Sequence, residues 1–379
     1  MNKIYDYVKE KEEAILSDIE KVVKKESPTK RKDLSDVCKN ELESLFKEYL
    51  NKNASVIDDD KFGDHLRYTI GEGDSQILII GHYDTVWNEG DLEYKLEGDK
   101  AYGPGILDMK GGLIIALWAL KTLKELKLNL NNQIVFLLNS DHEGVASPHS
   151  RKIIEEEAKK SKAVLVPEAS VDYTNALKIE RKGILRYVIS TEGKAAHSGN
   201  NHEEGVNAIL ELSNQIKYLS SLTDYTVGTT VNVGKIEGGQ GINVVPDYAE
   251  CSVDVRVVNN TEAEKIKDVI ESITPVNTQA KLNIEGGIVR PAMVKTQESE
   301  SLLNLAKEIG NEIDYEVQGA SVGGGSDGSF AAALGIPTLD GLGAAGVGPH
   351  SKEEHILISH LPKRVALFAN LLCQIDEKI

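Results

Sequence analysis

Apolar residues recur at helical spacing from the start of the chain. Ile4, Val8, Ile15, Ile19, Val22 and Val23 fall on one face and predict a helix that stops at Pro28. A second helix is predicted over Ser35–Leu50, with Val37, Leu42, Leu45, Phe46 and Tyr49 apolar. The pattern then shifts to short apolar runs. Gln76–Ile80, Gln133–Leu138 and Ala163–Val166 read as buried strands, and Lys110–Leu126 and Arg151–Lys160 as the helices between them. Strands alternating with helices predict an α/β fold, a sheet covered by helices on both faces.

The middle of the chain follows another rhythm. Gly183–Gly193, Thr229–Ile236 and Tyr248–Val258 alternate as strands. Gly205–Leu222 and Thr261–Ile273 are amphipathic helices, with Thr261 the expected N-cap, and Lys281–Ile284 is a last strand. This β-α-β-β-α-β order predicts an α+β module of about 110 residues inserted into the α/β unit. After Pro291 helices are expected near Ser299–Ile313 and Leu361–Ile375. The expected domains are therefore a discontinuous one, 1–182 with 291–379, and an inserted one, 183–290.

Charge narrows the partners. Lys+Arg number 43 and Asp+Glu 60, a formal net charge of −17, which disfavours nucleic acid or an anionic membrane as partner. No apolar run approaches the roughly 20 residues of a membrane span, and the charged N-terminus lacks a signal core. Three distant cysteines, Cys38, Cys251 and Cys373, exclude a disulfide framework and fit a reducing cytoplasm.

The candidate chemistry lies just past the buried strands. Gly81-His82-Tyr83-Asp84-Thr85 follows the first, and His82 and Asp84, two apart, point to one side of an extended chain. Ser140-Asp141-His142-Glu143-Gly144 follows the second and Val166-Pro167-Glu168 the third. Asp108 sits among glycines in Gly103-Pro-Gly-Ile-Leu-Asp-Met-Lys-Gly-Gly112, as either a helix N-cap or a metal ligand. His350 lies in the distant loop Gly346-Val-Gly-Pro-His-Ser351. Mixed His and carboxylate ligands suit zinc or a similar divalent ion. His65, His149, His202, His355 and His360 read instead as surface or cap residues, and Asp327 as the cap of the helix that follows it.

Taken in order, these segments resemble the M20 metallopeptidases, the dinuclear-zinc group that includes glutamate carboxypeptidases and aminoacylases. Further matches are Gly193-Lys-Ala-Ala-His-Ser-Gly199, Asn243-Val-Val-Pro246, Asp254-Val-Arg256, Gly323-Gly-Gly-Ser-Asp327 and Gly348-Pro-His-Ser351. The resemblance spans nearly the whole chain. It implies a zinc-peptidase-like catalytic domain with a mixed sheet, and an inserted lid that also dimerises. It implies two divalent ions, zinc first and cobalt or manganese as alternatives. His82 and Glu168 would hold one, Glu143 and His350 the other, and Asp108 would bridge them, with Asp84 orienting His82. His197 would reach the partner subunit's site to polarise the scissile carbonyl. Asn243, Arg256 and the loop Gly323–Gly325, with Gly324 and Gly325 lining the pocket, would hold the substrate's terminal carboxylate. The implied substrate is a small peptide or an N-acyl amino acid, cleaved next to a free carboxylate.

One departure stands out. The family carries two adjacent glutamates after an Asp, the first a general base and the second a zinc ligand. Here Asp141 is followed by His142 and Glu143. Imidazole is chemically capable of serving a water whose pKa a metal has lowered toward about 7. The downstream segment Ser147-Pro-His-Ser-Arg151 carries one extra residue relative to the family. If that residue falls after Glu143, His142 is the base and Glu143 a ligand. If it falls before His142, Glu143 is the base and Gly144 vacates the ligand position. Three functions follow: an active amide hydrolase (a carboxypeptidase or an N-acyl-amino-acid deacylase), a metal-binding relative whose catalysis His142 has impaired, or a non-metal interaction scaffold.

Overall fold

The computed structural model describes residues 2–377. The chain divides into two compact units, one of Met1–Glu180, Lys295–Val322 and Ser326–Ile379, the other of Arg181–Val294 with Gly323–Gly325.

The first unit is built on an eight-stranded mixed sheet. Its spatial order is Ser55–Ile57, His65–Ile70, Gln133–Asn139, Gln76–His82, Ser161–Val166, Thr338–Asp340, Leu177–Arg181 and Gly319–Val322. The four strands from Gln133–Asn139 to Thr338–Asp340 run parallel. Successive residues of Gln76–His82 serve opposite faces. Ile77 and Ile79 pack into one apolar cluster with the helices Glu12–Val23, Gly111–Glu125, Gln297–Glu312 and Leu361–Gln374. Leu78 and Ile80 pack into another with Ile154, Ala158 and Phe330 from the helices Ser150–Ala158 and Gly328–Ala333. Burial on both faces explains why the central strands are uninterrupted apolar runs.

The first predicted helix is two, Lys3–Val8 and Glu12–Val23. All six of its apolar positions are buried, but none lies between Val8 and Ile15, so nothing anchors the charged stretch Lys9–Lys11 to the core and the chain turns there. Val37, expected on the buried face of the next helix, is 47% exposed. A small sheet escaped the sequence pattern. Gly346–Val347 pairs with His355–Leu357, which pairs with Lys100–Tyr102, which pairs with Lys95–Glu97. Strands of two or three residues carry too little alternation to be read. This ribbon nevertheless places the loop ahead of His350 beside the loop ahead of Asp108.

The second unit is built on a four-stranded antiparallel sheet in the order Thr230–Gly238, Tyr248–Val257, Gly183–Glu192, Lys281–Arg290. Leu185, Tyr187 and Ile189 alternate inward with Ala249, Cys251, Val253 and Val255, under the helices Ala208–Ser221 and Asn260–Glu271. The cap of the second helix is Asn259, whose side chain accepts from the Glu262 N–H, and not Thr261. Asn and Thr both suit that position, and the cap lies two residues earlier than the apolar pattern indicates.

Candidate metal centre and active site

The four parallel strands finish on one edge of the sheet, the edge where open α/β sheets place their ligands. His82 is the last residue of the first strand, in register with Asn139 of its neighbour. The chain then visits the neighbour on one side, Gln133–Asn139, before crossing to the other, Ser161–Val166. Strand order thus reverses around His82, and the segments 141–143 and 167–168 flank it.

Asp108 arrives from an irregular turn. Its backbone is extended (φ −121°, ψ 88°), its peptide bond to Met109 is cis, and the helix begins only at Gly111. Asp108 is therefore not an N-cap. Gly112 explains how the turn lies so close to the third strand, since a Cβ there would collide with the carbonyl oxygen of Pro167, next to Glu168. Glu354 fixes the turn from the other side. One carboxylate oxygen accepts the N–H groups of Leu107 (3.0 Å) and Asp108 (3.2 Å), and the other accepts the Trp87 indole N–H (2.7 Å). Burial pushes the Glu354 carboxyl up to about 7, although the Trp87 bond opposes this.

The two oxygens of Asp108 serve different neighbours. Oδ1 lies 3.3 Å from His82 Nε2, which is 3.6 Å from Glu168 Oε1. Oδ2 lies 3.2 Å from His350 Nε2, which is 3.2 Å from Glu143 Oε1. His82, Asp108 and Glu168 form one group able to hold an ion, and Asp108, Glu143 and His350 another. Two donors each about 2.0–2.2 Å from one tetrahedral ion stand roughly 3.3–3.5 Å apart, which is the spacing found. Neither His82 Nε2 nor Asp108 Oδ1 has a hydrogen-bond partner, although both are buried. Without cations the carboxylates recruit protons. Burial alone would lower the His82 pKa, but Asp108, Asp84 and Glu168 raise it well above the ordinary value. Asp108 and Glu143 push His350 up to about 10. Burial would raise the pKa of Asp108, yet the contacts with His350 and His82 hold it well below the usual carboxylate range. Orphaned donors, spacing and negative field all fit a pair of divalent ions.

Asp84, fully buried, lies behind His82. His82 Nδ1 is 3.1 Å from the Asp84 carbonyl oxygen and 3.4 Å from Oδ1, while Oδ2 accepts from the Thr29 hydroxyl (2.7 Å) and the Glu143 N–H (2.9 Å).

Asp141 accepts the N–H groups of His149 (2.8 Å) and Ser150 (3.0 Å) and so caps the helix Ser150–Ala158. Between these anchors Gly144, Ala146 and Ser147 adopt left-handed φ values of 71°, 66° and 59°. This compact turn is closed by Ala146 N–H to His142 O and Ser147 N–H to Asp141 O. The Glu143 carboxylate lies with Asp108 and His350.

His142 stacks on His82, with ring centroids 3.9 Å apart and an interplanar angle of 9°. Its Nδ1 is 3.0 Å from Oδ2 of Asp327. Asp327 holds the N-cap position of the following helix, but its side chain makes no cap hydrogen bond there. Its buried carboxylate accepts from Asn139 Nδ2 (2.8 Å) and from the Ser147 hydroxyl (2.6 Å) instead.

The second unit holds the remaining sequence-predicted residues. His197, exposed, pairs in register with Val244. Its Nδ1 accepts the N–H groups of Gly199 (3.1 Å) and Asn200 (3.2 Å), which puts the ring proton on Nε2. Asn243, also exposed, precedes that register partner and accepts the Ser198 N–H on its carbonyl. The Arg256 guanidinium is already forked onto Asp254 (2.7 and 3.1 Å), and its Nη1 donates to the Gly323 carbonyl. Arg181 donates to the carbonyls of Gly324 and Gly325, both at 3.1 Å, so two arginines hold the glycine loop.

Sequence reasoning missed Glu354 and misassigned His65 and His355, the second of which is buried on a strand. Glu354 is one glutamate in an acidic run, and only the fold shows its carboxylate against the Asp108 turn. His65, read as surface or cap, is 1% exposed.

Residues 78–374 match the family model "Peptidase family M20/M25/M40". Carboxypeptidase G2 of Pseudomonas sp. (strain RS-16) is 30% identical over 98% of this chain and 91% of its own. A succinyl-diaminopimelate desuccinylase of Acinetobacter baumannii (strain ACICU) is 26% identical over 87% of this chain and 92% of its own. Among solved structures, an M20 family metallo-carboxypeptidase from Sulfolobus solfataricus superposes with a TM-score of 0.77 at 19% identity, covering 95% of this chain and 98% of that one.

Proposed function

The chain belongs to peptidase family M20/M25/M40, a family of metal-dependent peptidases and amidohydrolases, and from that premise we propose that it uses two divalent ions to cleave an amide bond next to a free carboxylate, as a carboxypeptidase does. The observation that carries this reading is the division of Asp108, one oxygen toward His82 and Glu168 and the other toward His350 and Glu143. Zinc suits the ligand set, with cobalt or manganese as substitutes. When bound, such a pair polarises an amide carbonyl and lowers the pKa of a water between its members.

The chain's own residues do the rest. Asp84 orients His82. His142 exchanges the proton, with Nδ1 directed at Asp327. Glu143, one residue on, serves as a ligand and not as the base. His197, protonated on Nε2, has the donor needed to polarise a carbonyl. Asn243, Arg256 and the loop Gly323–Gly325 recognise the substrate's carboxylate, which must share the Arg256 fork with Asp254. The inserted module, about residues 183–290, acts as a lid and pairs two subunits; this rests on the family resemblance. Three unpaired cysteines support a reducing, cytoplasmic setting.

Hydrolysis of acyl-glutamates and dipeptides by protein loaded with zinc, cobalt or manganese tests the proposal. Turnover that His82→Ala abolishes is expected. A rate no different from that of the His82→Ala protein defeats it.

A further inference from the structure

We propose that a third divalent cation binds outside the dinuclear centre, between the segment Asp58–His65 and His149. Asp59, Asp60 and His149 present donor atoms that all lie within 4.8 Å of one another. They line a cavity of about 470 Å³ together with Asp58, His65 and Ile153.

Acidic clusters are common on surfaces, and two features set this one apart. The first is how Asp59 is held. Its Oδ1 accepts the N–H groups of Lys61 and Phe62, both at 2.8 Å. This fixes the carboxylate and presents Oδ2, which lies 2.6 Å from His149 Nδ1. The second is His65. It is 1% exposed, and neither ring nitrogen has a hydrogen-bond partner. A buried imidazole with both nitrogens unsatisfied is costly. Its Nε2 faces the same Asp59 oxygen from 3.4 Å. A cation held by Asp59, Asp60 and His149 has His65 behind the Asp59 carboxylate, where the ring orients it. The cation replaces the proton now shared between His149 and Asp59.

An imidazole beside two carboxylates favours a zinc-like ion over calcium or magnesium, which prefer all-oxygen shells. The site reaches the catalytic loop through one residue. The His149 backbone N–H donates to Asp141, which immediately precedes His142 and Glu143. The ion therefore clamps the far end of the turn that carries both residues.

Elemental analysis of the full chain, equilibrated with zinc sufficient to saturate the dinuclear centre and then freed of unbound metal, tests this. Three zinc ions per chain are expected, and two in His149→Ala or Asp60→Ala, whose exposed side chains leave the fold intact. Asp108→Asn, which empties the inner pair, is expected to keep one ion that His149→Ala then removes. That result separates failure of this site from failure of the dinuclear reading. The cobalt-loaded Asp108→Asn protein should also show the visible absorption of four-coordinate cobalt. Two zinc ions in the unmodified chain, or a third that survives His149→Ala and Asp60→Ala together, overturns the proposal.

Discussion

His142 and Asp327 meet inside the protein, Nδ1 to Oδ2 at 3.0 Å, though one follows a central strand and the other a glycine loop late in the chain. The contact gives His142 a carboxylate of its own. A carboxylate behind an imidazole fixes its tautomer and orientation.

If Asp327 acts through His142, Asp327→Asn should lower kcat by about 10–100-fold while KM and metal content hold. His142→Ala should lower kcat by about 10²–10⁴-fold. In a His142→Glu background the Asp327→Asn penalty should shrink, because a glutamate needs no tautomer set. An equal loss in both backgrounds means that Asp327 matters only as the acceptor for Asn139 and Ser147.

Metal content should follow the division of ligands. Asp108→Asn is expected to lose both inner ions. Glu168→Gln or His350→Ala should each weaken one and leave the other. Elemental analysis across these variants, in a His149→Ala background so that only the inner pair is counted, reads the pattern directly. Loss of both ions in every variant contradicts a shared but divisible centre.

Loading the metal-free protein should release protons. His350 is pushed up to about 10 by Asp108 and Glu143, and His82 shifts the same way. Both are charged at pH 7 and must be neutral to bind a cation. Apparent affinity should therefore rise with pH, and calorimetry in two buffers of different ionisation enthalpy should detect proton release. The same shifts bear on the stability of the metal-free form. A folded pKa above the unfolded value of about 6.5 gives stability that is complete below that pH and is lost as pH rises toward 10. The half-exposed position of His350 keeps this contribution small.

Arg256→Ala should raise KM by about 10–100-fold, the equivalent of losing hydrogen bonds to a charged group, with a smaller effect on kcat. A substrate lacking the terminal carboxylate should not distinguish the variant from the unmodified protein. Equal KM values for the carboxylate substrate remove Arg256 from recognition.

Gly112→Ala should destabilise the protein by about 1–3 kcal/mol, because its Cβ meets the Pro167 carbonyl and either the helix or the strand end must move. Chemical denaturation measures the cost. The displaced Glu168 should weaken metal binding as well.

The α/β core was legible because Ile77–Ile80 and Val135–Leu138 are buried on both faces and leave unbroken apolar runs. The residues at the sheet edge were legible because each directly follows such a run. What the sequence concealed depends on contacts between distant segments. The ribbon joining Lys100–Tyr102 to His355–Leu357 is too short to show a period, yet it sets the Asp108 and His350 loops side by side. Asp327 reads as a helix cap because Asp before a short helix usually is one, and only the packed structure turns it toward His142. The first helix breaks at Lys9–Lys11, inside the gap between Val8 and Ile15, since periodicity records which residues face the core and not where the backbone turns between them.

The most direct test of the account is a crystal structure of the zinc-loaded protein with anomalous data collected at the zinc edge. Two peaks are predicted at the sheet edge, one against His82 and Glu168 and the other against Glu143 and His350, with an oxygen of Asp108 on each. A single peak there, or an Asp108 carboxylate turned away from both, contradicts it.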